Sequence, residues 1–258
     1  MVHPKITELQ GILQFEQRSP EWFNQRKDKL TSSDAATVLN MNPYSKPNEL
    51  LYQKCGIERP FVSNTATLHG QRYEDTAIEI YCRITGKVNY NFGLLCYCDI
   101  HKNYSDYNEE LNFLGGSPDG IAESIDNPEI EPILIEVKCP YRRKIVDGLI
   151  PNCYIPQVQL NLLICNLNIA DFIEYSPMDN KINIVRIYRD NYWLNKNIPI
   201  LCDFWKNVIK YREIGIHSHP DLIIKEEKKI KRELNKHDKE IKKNQLIKKQ
   251  TKKCLIID

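Results

Sequence analysis

The sequence predicts an α/β protein, a mixed central sheet of about five strands with helices on both faces and the first helices preceding the sheet. Three observations predict it. Ile133–Lys138 (ILIEVK) is a short apolar run whose side chains alternate between two faces, bounded by Pro132 and by Cys139-Pro140. Phe172–Ser176 and Ile182–Tyr188, joined by Pro177-Met178-Asp179-Asn180-Lys181, read as a β-hairpin. Thr67–Ile84 and the run from Ile155 carry apolar residues at helical spacing.

In chain order, residues 1–16 are a lead-in. Ser19-Pro20-Glu21-Trp22 is a helix entrance, with serine as N-cap, proline at the first helical position and glutamate in the first turn. Trp22 and Arg26, four apart, share one face of that helix. Thr31-Ser32-Ser33-Asp34 opens a short helix over Ala35–Leu39, which Asn42-Pro43-Tyr44-Ser45 ends in a turn. Glu49–Cys55 is a further helix, stopped by Gly56. Thr67–Ile84 is the clearest long helix and is closed by Gly86. On it Gly70 and Glu74 are four apart, and the glycine is expected to admit a neighbouring backbone and let Glu74 point inward. Lys87–Asp99, rich in Val, Tyr, Phe and Leu, predicts a strand interrupted at Gly93; His101–Glu110 is a polar loop. Ile155–Ile164 starts a helix at Pro156, with Gln157 and Asn161 on one face and Leu160, Leu163, Ile164 and Leu167 as its apolar stripe. Asp190 opens a last amphipathic segment carrying Trp193, Phe204 and Trp205 as core aromatics, kinked or divided at Pro199.

A chain of 258 residues with 41% hydrophobic content can bury one sizeable core, assigned to residues 17–224. No apolar run approaches the roughly 20 residues of a membrane span, and Met1–Gln10 is not a signal peptide, so an intracellular, soluble protein is expected. Nine cysteines, an odd number without C-x₂-C pairs, point to reduced thiols. Cys96-x-Cys98-x₂-His101 lacks the second pair that tetrahedral zinc normally takes. Charge is uneven: Lys225–Lys253 holds 13 Lys/Arg against 5 Asp/Glu, a net of +8, so the total of +2 leaves −6 elsewhere. Residues 225–258 have few apolar positions and no sustained heptad, and are expected to be weakly helical or disordered. Their cations could hold DNA through counterion release or serve only solubility.

Chemistry concentrates between Leu111 and Pro140. On Ile133–Lys138, Ile133, Ile135 and Val137 share a face suited to a core, while Leu134, Glu136 and Lys138 share the other. Asp119 sits in a Pro/Gly turn ahead of the strand, and Glu123–Pro132 is long enough for an antiparallel return that would bring both carboxylates beside Lys138. Such a set suits Mg²⁺, which takes hard oxygen ligands and typically one or two carboxylates. Bound water becomes acidic enough to attack phosphorus, and Lys138 would orient it. The competing view makes Glu136 and Lys138 the solvent face of an edge strand and Asp119 an ordinary turn residue. Arg26 and the hydroxyls near it could bind phosphate oxygens. Arg142-Arg143-Lys144 could touch a DNA backbone or be a solvated face.

Ser117-Pro118-Asp119 and Glu136-Val137-Lys138 resemble the half-motifs of the PD-(D/E)XK nucleases. Gly-Gly-Ser-Pro-Asp-Gly followed by Ile-Glu-Val-Lys-Cys-Pro is similar to the YqaJ-type viral recombinase branch, relatives of phage lambda exonuclease. The resemblance covers most of Gln17–Ile214. It implies a restriction-endonuclease-like core, with Asp119, Glu136 and the Val137 main-chain carbonyl as metal ligands and Lys138 as a catalytic residue. It further implies that Glu74 is a third acid, directly or through water, and that Gln157 reaches the reacting phosphate or water. Arg26 and Ser33, with Ser32 a close rival, are implied to hold DNA phosphates. The cofactor implied is Mg²⁺, for which Mn²⁺ can substitute. The activity implied is 5′→3′ degradation of double-stranded DNA ends in viral or phage-like recombination and repair, beside a single-strand annealing protein, in members that form rings. The alternatives are a structure- or sequence-selective endonuclease, and a catalytically silent DNA-binding protein. The Lys-, Asn- and Ile-heavy composition suits an AT-rich genome such as that of a large DNA virus, which would place the protein in a cytoplasmic viral factory or the host nucleus.

Overall fold

Helices α1 (Pro4–Gln10) and α2 (Pro20–Lys27) come first in a computed structural model that describes residues 2–57, 64–127 and 129–254. The lead-in is built into the fold, since Ile6 and Leu9 of α1 are fully buried. In α2, Ser19 accepts from Trp22 N at 3.1 Å and Pro20 starts the helix, as its sequence requires. A two-residue strand β1 (Leu30–Thr31) leads into a 3₁₀ turn (Ser32–Asp34), then α3 (Ala35–Val38) and α4 (Pro47–Lys54). Helix α5 (Thr65–Thr85) is N-capped by Asn64 and closed by Gly86 at φ 64°, a conformation glycine adopts without strain.

Lys87–Asp99 divides differently from the single interrupted strand expected. It forms β2 (Lys87–Tyr90), β3 (Leu95–Cys96) and the start of α6 (Tyr97–His101), and the two strands join different sheets. His101 is buried at the end of α6, with Nε2 2.9 Å from the Leu163 carbonyl, so the polar loop starts after it. Next come β4 (Leu114–Gly116), β5 (Gly120–Ser124) and β6 (Ile133–Lys138), then α7 (Ile155–Cys165), β7 (Ile169–Ser176) and β8 (Lys181–Tyr188).

The main sheet has the order β2-β5-β6-β7-β8, antiparallel except for the parallel β6–β7 pair, and β1-β4-β3 form a smaller sheet. Five mixed strands match the expected fold class. Parallel β6 and β7 need a crossover, and α7 supplies it. Ala77 and Tyr81 of α5 pack with Ile135 and Val137 from one face of the sheet. From the other face, Gln157 and Asn161 of α7 reach Glu136. Strand β6 is thus covered on both sides and is central, not an edge. Across the β7–β8 hairpin, buried Asp171 accepts from Arg186 Nε at 2.6 Å and from Tyr81 hydroxyl at 2.6 Å, which ties α5 to the sheet.

Helix α8 (Asn191–Ile214) passes through Pro199 without dividing, and buries Leu194, Leu201, Phe204, Trp205 and Val208. Its apolar face holds it where proline alone would break it. The chain separates into two compact units, Met1–Val208 and Ile209–Asp258, whereas the sequence suggests a boundary at Lys225. In the second unit α9 (Pro220–Cys254) is one continuous helix where weak helicity or disorder is expected; residues 255–258 of the expected tail lie outside the described residues.

Candidate active site

Glu136 is the centre of the site and has no exposed surface. The solvent-face view of Glu136 fails on that burial. Lys138 Nζ and Gln157 Nε2, the latter at 2.5 Å, both donate to Glu136 Oε1, and Asn161 Nδ2 donates to Oε2 at 3.3 Å. Gln157 and Asn161 are one helical turn apart, which is why both reach the same carboxylate. Their i, i+4 spacing was visible in the sequence, but only Gln157 was expected at the site. Gln159, two residues on, instead bridges Tyr188 O and Asp190 N at 2.9 and 2.8 Å. Gly116 makes room for this arrangement, because a Cβ there would stand 2.3 Å from Asn161 Oδ1.

Asp119 arrives from the turn between β4 and β5. Pairing of β5 with β6 ends at Gly120–Ile135, and just beyond it Asp119 Oδ2 takes the Val137 N–H at 2.7 Å. Lys138 Nζ then lies 3.0 Å from the Val137 carbonyl and 4.0 Å from Asp119 Oδ2, besides its bond to Glu136. Its ammonium therefore faces the three oxygen groups that the sequence resemblance assigns to a metal. Among the described residues, no three or more His, Cys, Asp or Glu side chains are gathered into a set that could hold an ion. Two carboxylates and one carbonyl are nevertheless what Mg²⁺ ordinarily takes from a protein, and a cation already stands among them, so the donor set fits.

Electrostatics reflect crowding. Burial raises the Glu136 carboxyl, with Lys138 opposing and Asp119 adding to the rise. Burial pulls Lys138 down, yet Glu136 and Asp119 outweigh it and hold the ammonium charged. Glu74, on α5, is pushed up to about 7 by burial and by Asp119, against Arg18. Two clefts, of about 500 and 820 Å³, both include Glu74 in their walls; Asp119 lines the first and Lys138 the second. Among the described residues nothing lies within 4 Å of where a Cβ on Gly70 would stand, so no described backbone packs on it, contrary to expectation; it borders the larger cleft. Arg18, for which no role is expected from the sequence, lies 3.4 Å from Glu74 and holds φ 71°, a backbone conformation uncommon outside glycine.

Arg26 lies over the Trp22 ring at 4.2 Å and donates to exposed Ser33 Oγ at 2.9 Å and to Thr31 Oγ1 at 3.2 Å. Ser32 is buried instead, close to Gly116, which removes it as a surface hydroxyl. Asp34 underpins the corner: its Oδ2 accepts from Thr31 N at 3.0 Å and pairs with Lys54 at 2.9 Å. Arg142 borders the larger cleft with its guanidinium 5.6 Å from the Tyr141 ring. Arg143 is paired with buried Glu174, so its charge is partly spent within the protein.

A family model described as the YqaJ-like viral recombinase domain matches residues 21–168. A protein of Acanthamoeba polyphaga mimivirus is 32% identical over 180 residues, 66% of this chain and 31% of its own length. A protein of African swine fever virus is 28% identical over 169 residues, 57% of this chain and 46% of its own length. The chain thus spans less than half of either relative. The alkaline exonuclease LHK-Exo from Laribacter hongkongensis superposes with a TM-score of 0.59 at 22% identity, covering 79% of this chain and 100% of that one. Its complex with dAMP gives the same score at 23% identity over 76% and 95% of the two chains. Those two likenesses establish a shared fold. With the matched segment exceeding half the sequence and spanning α2 to the end of α7, the chain belongs to the YqaJ-like viral recombinase domain family.

Proposed function

We propose that this protein is a divalent-metal-dependent deoxyribonuclease that degrades duplex DNA from a 5′ end. The observation that carries the reading is the buried Glu136 carboxylate, held between Lys138, Gln157 and Asn161 with Asp119 on the neighbouring turn. Burying a carboxylate is costly unless it is paired and hydrogen-bonded, and an arrangement this specific suits chemistry better than packing. Family membership and the exonuclease named among proteins of the same fold support the same reading.

When bound, the metal supplies a Lewis acid that acidifies water and offsets charge on the phosphate. Asp119, Glu136 and the Val137 carbonyl would hold it. Lys138 directs the attacking water and stabilises the hydroxide; the oxygen adds to phosphorus, and the 3′ oxygen of the terminal nucleotide leaves with a proton. Gln157, which donates to Glu136 Oε1, orients the phosphate or the water. Glu74 is the third acid, acting directly or through water. Arg26 and Ser33 hold the 5′-terminal phosphate, for which the planar guanidinium and adjacent hydroxyl are suited. Mg²⁺ is the natural ion of this oxygen set, and Mn²⁺ replaces it. The product strand is left with a 3′ overhang, the substrate of a single-strand annealing protein in viral recombination.

An end-labelled linear duplex and a covalently closed circle, each with and without Mg²⁺, test the reading. Linear DNA is degraded only with the metal, and the circle survives. Nicking of the circle would make the protein an endonuclease, and cleavage by Asp119→Asn or Glu136→Gln at the wild-type rate would remove the site. Arg26→Ala tests the polarity. Wild type prefers a 5′-phosphorylated end, and the variant loses most of that preference, roughly ten- to hundredfold for a charge-assisted hydrogen bond. A wild type indifferent to the 5′ group would refute end anchoring and leave the metal site standing.

A further inference from the structure

Helix α9 has an order that the proposed activity does not use. Ile223, Ile230, Leu234 and Ile241 follow one another at intervals of seven, four and seven residues, which stacks them in one narrow stripe along the helix. All four are exposed, Leu234 by 60%. With Leu234 and Ile241 at heptad position a and Ile223 and Ile230 at d, the remaining seam positions are Glu227 and His237. Glu226, Glu233 and Glu240 then fall at successive g positions along one edge. From Lys228 to Lys243 every basic residue but Lys231 falls at b, c or f, away from the seam. The register covers only Ile223–Ile241 and lapses at Asn244 and Lys248, which is why no heptad is sustained along the tail, but a merely solubilising tail has no need even of this much.

We propose that α9 is a docking helix for a partner helix that carries its own Ile, Leu or Val seam, bordered by Lys or Arg where it meets the glutamate edge. Charge complementarity selects this occupant. A second copy fits poorly, because antiparallel pairing lays the row Glu226, Glu233, Glu240 against itself. Parallel pairing gains Glu226 opposite Lys231 but stacks Glu227 on Glu227 inside the seam, where charge is most costly. The seam is edged by acid on its g side, which disfavours the DNA backbone there; the basic f positions lie across the helix, while the c lysines adjoin the glutamates. The exposed Glu226–Lys229 pair, at 3.9 Å, competes only weakly with a partner cation. Glu227 and His237 at seam positions lower affinity and fix register, as polar seam residues do.

The probe is a fluorescein-labelled synthetic helix of about four heptads, with Ile and Leu at a and d and Lys at e and g, alongside a sister peptide with Glu at e and g. Each is titrated with the full chain at physiological salt and followed by anisotropy. The Lys-edged peptide binds roughly tenfold or more tighter than the Glu-edged one. Leu234→Asp abolishes binding, and the triple change Glu226→Lys, Glu233→Lys, Glu240→Lys reverses the preference. Leu234 is exposed, so its substitution leaves the fold intact, which unchanged far-ultraviolet circular dichroism checks. Equal binding of both peptides, or none, overturns the proposal. So does concentration-dependent self-association in sedimentation that Leu234→Asp removes, which would make a second copy the occupant. Duplex DNA binding that Leu234→Asp abolishes would likewise overturn it in favour of DNA.

Discussion

Lys138 stands where a bound cation would have to make its contacts, 3.0 Å from the Val137 carbonyl and paired with Glu136. That position separates its two proposed effects, because a group that directs water for chemistry would also compete with the metal for the same oxygens. Lys138→Met is predicted to lower DNA cleavage roughly 10²–10⁴-fold, the usual range for a positioned proton-transfer group. The same variant binds Mn²⁺ as tightly as wild type or more tightly in calorimetric titration; weaker binding would make Lys138 a builder of the metal site. Asp34 illustrates a purely structural charge at the Arg26–Ser33 corner. Burial pushes its carboxyl up, but Lys54 and the bonds from Thr31 outweigh burial and hold it below the ordinary range. A depressed folded-state value means that its contribution is complete above the unfolded value of about 3.9 and is lost as pH falls through the folded one. Asp34→Asn should therefore cost about 1.5–3 kcal/mol at pH 7, as for a hydrogen bond to a charged group. In urea titrations the gap to wild type should close below about pH 4; a gap independent of pH would show that the charge is irrelevant.

Elements make these side chains coincide, and the loop after β6 is the clearest case. Asn183 on β8 accepts from Gly148 N at 3.0 Å and donates to Leu149 O at 3.1 Å and Val146 O at 3.3 Å. Buried Glu174 on β7, next to it, pairs with Arg143. The clamp fixes the segment that carries Arg142 and Arg143 beside the larger cleft. Asn183→Ala is predicted to raise hydrogen exchange across residues 144–150 and to raise KM for DNA several-fold while kcat stays within a factor of about two, since the clamp touches no reacting group. Equal losses in kcat would place the loop in the chemistry. Much of this layer was legible beforehand: alternation in Ile133–Lys138 put Glu136 and Lys138 on one face, and Ser19-Pro20 placed the helix that carries Arg26. The failures have physical causes. Lys87–Asp99 mixes two short strands and a helix start in a stretch too brief for periodicity to separate. Ser32 and Ser33 are neighbours of one type, and only the turn geometry decides that Ser33 meets Arg26 while Ser32 is buried. Arg18 acquires its place opposite Glu74 from a φ of 71°, which no residue type announces.

Charge on the whole chain has to be reconciled with the polyanionic substrate proposed, because the sequence outside Lys225–Lys253 carries a net −6. Clustered acids around Glu136 and Glu74 account for part of that, and a bound divalent ion would reverse their local sign. The remainder is offset by α9, whose basic residues line the side away from its apolar seam. Nonspecific affinity for DNA arises when cations displace counterions, and each phosphate contact adds about 0.9 to the slope of log K against log salt. Changing Arg232, Lys236, Lys239 and Lys243 together to glutamine leaves the helix and seam intact, because glutamine is nearly as good a helix former. If all four touch phosphates, the slope falls by roughly 3 to 4, and affinity falls most at low salt. Turnover at saturating DNA stays unchanged, because no altered residue belongs to the catalytic cluster. Anisotropy titrations of a short duplex over a salt series measure the slope, and end-labelled duplex under saturation measures turnover. Superimposable slopes would show that α9 serves DNA in no way and that the acidic body binds its substrate without it.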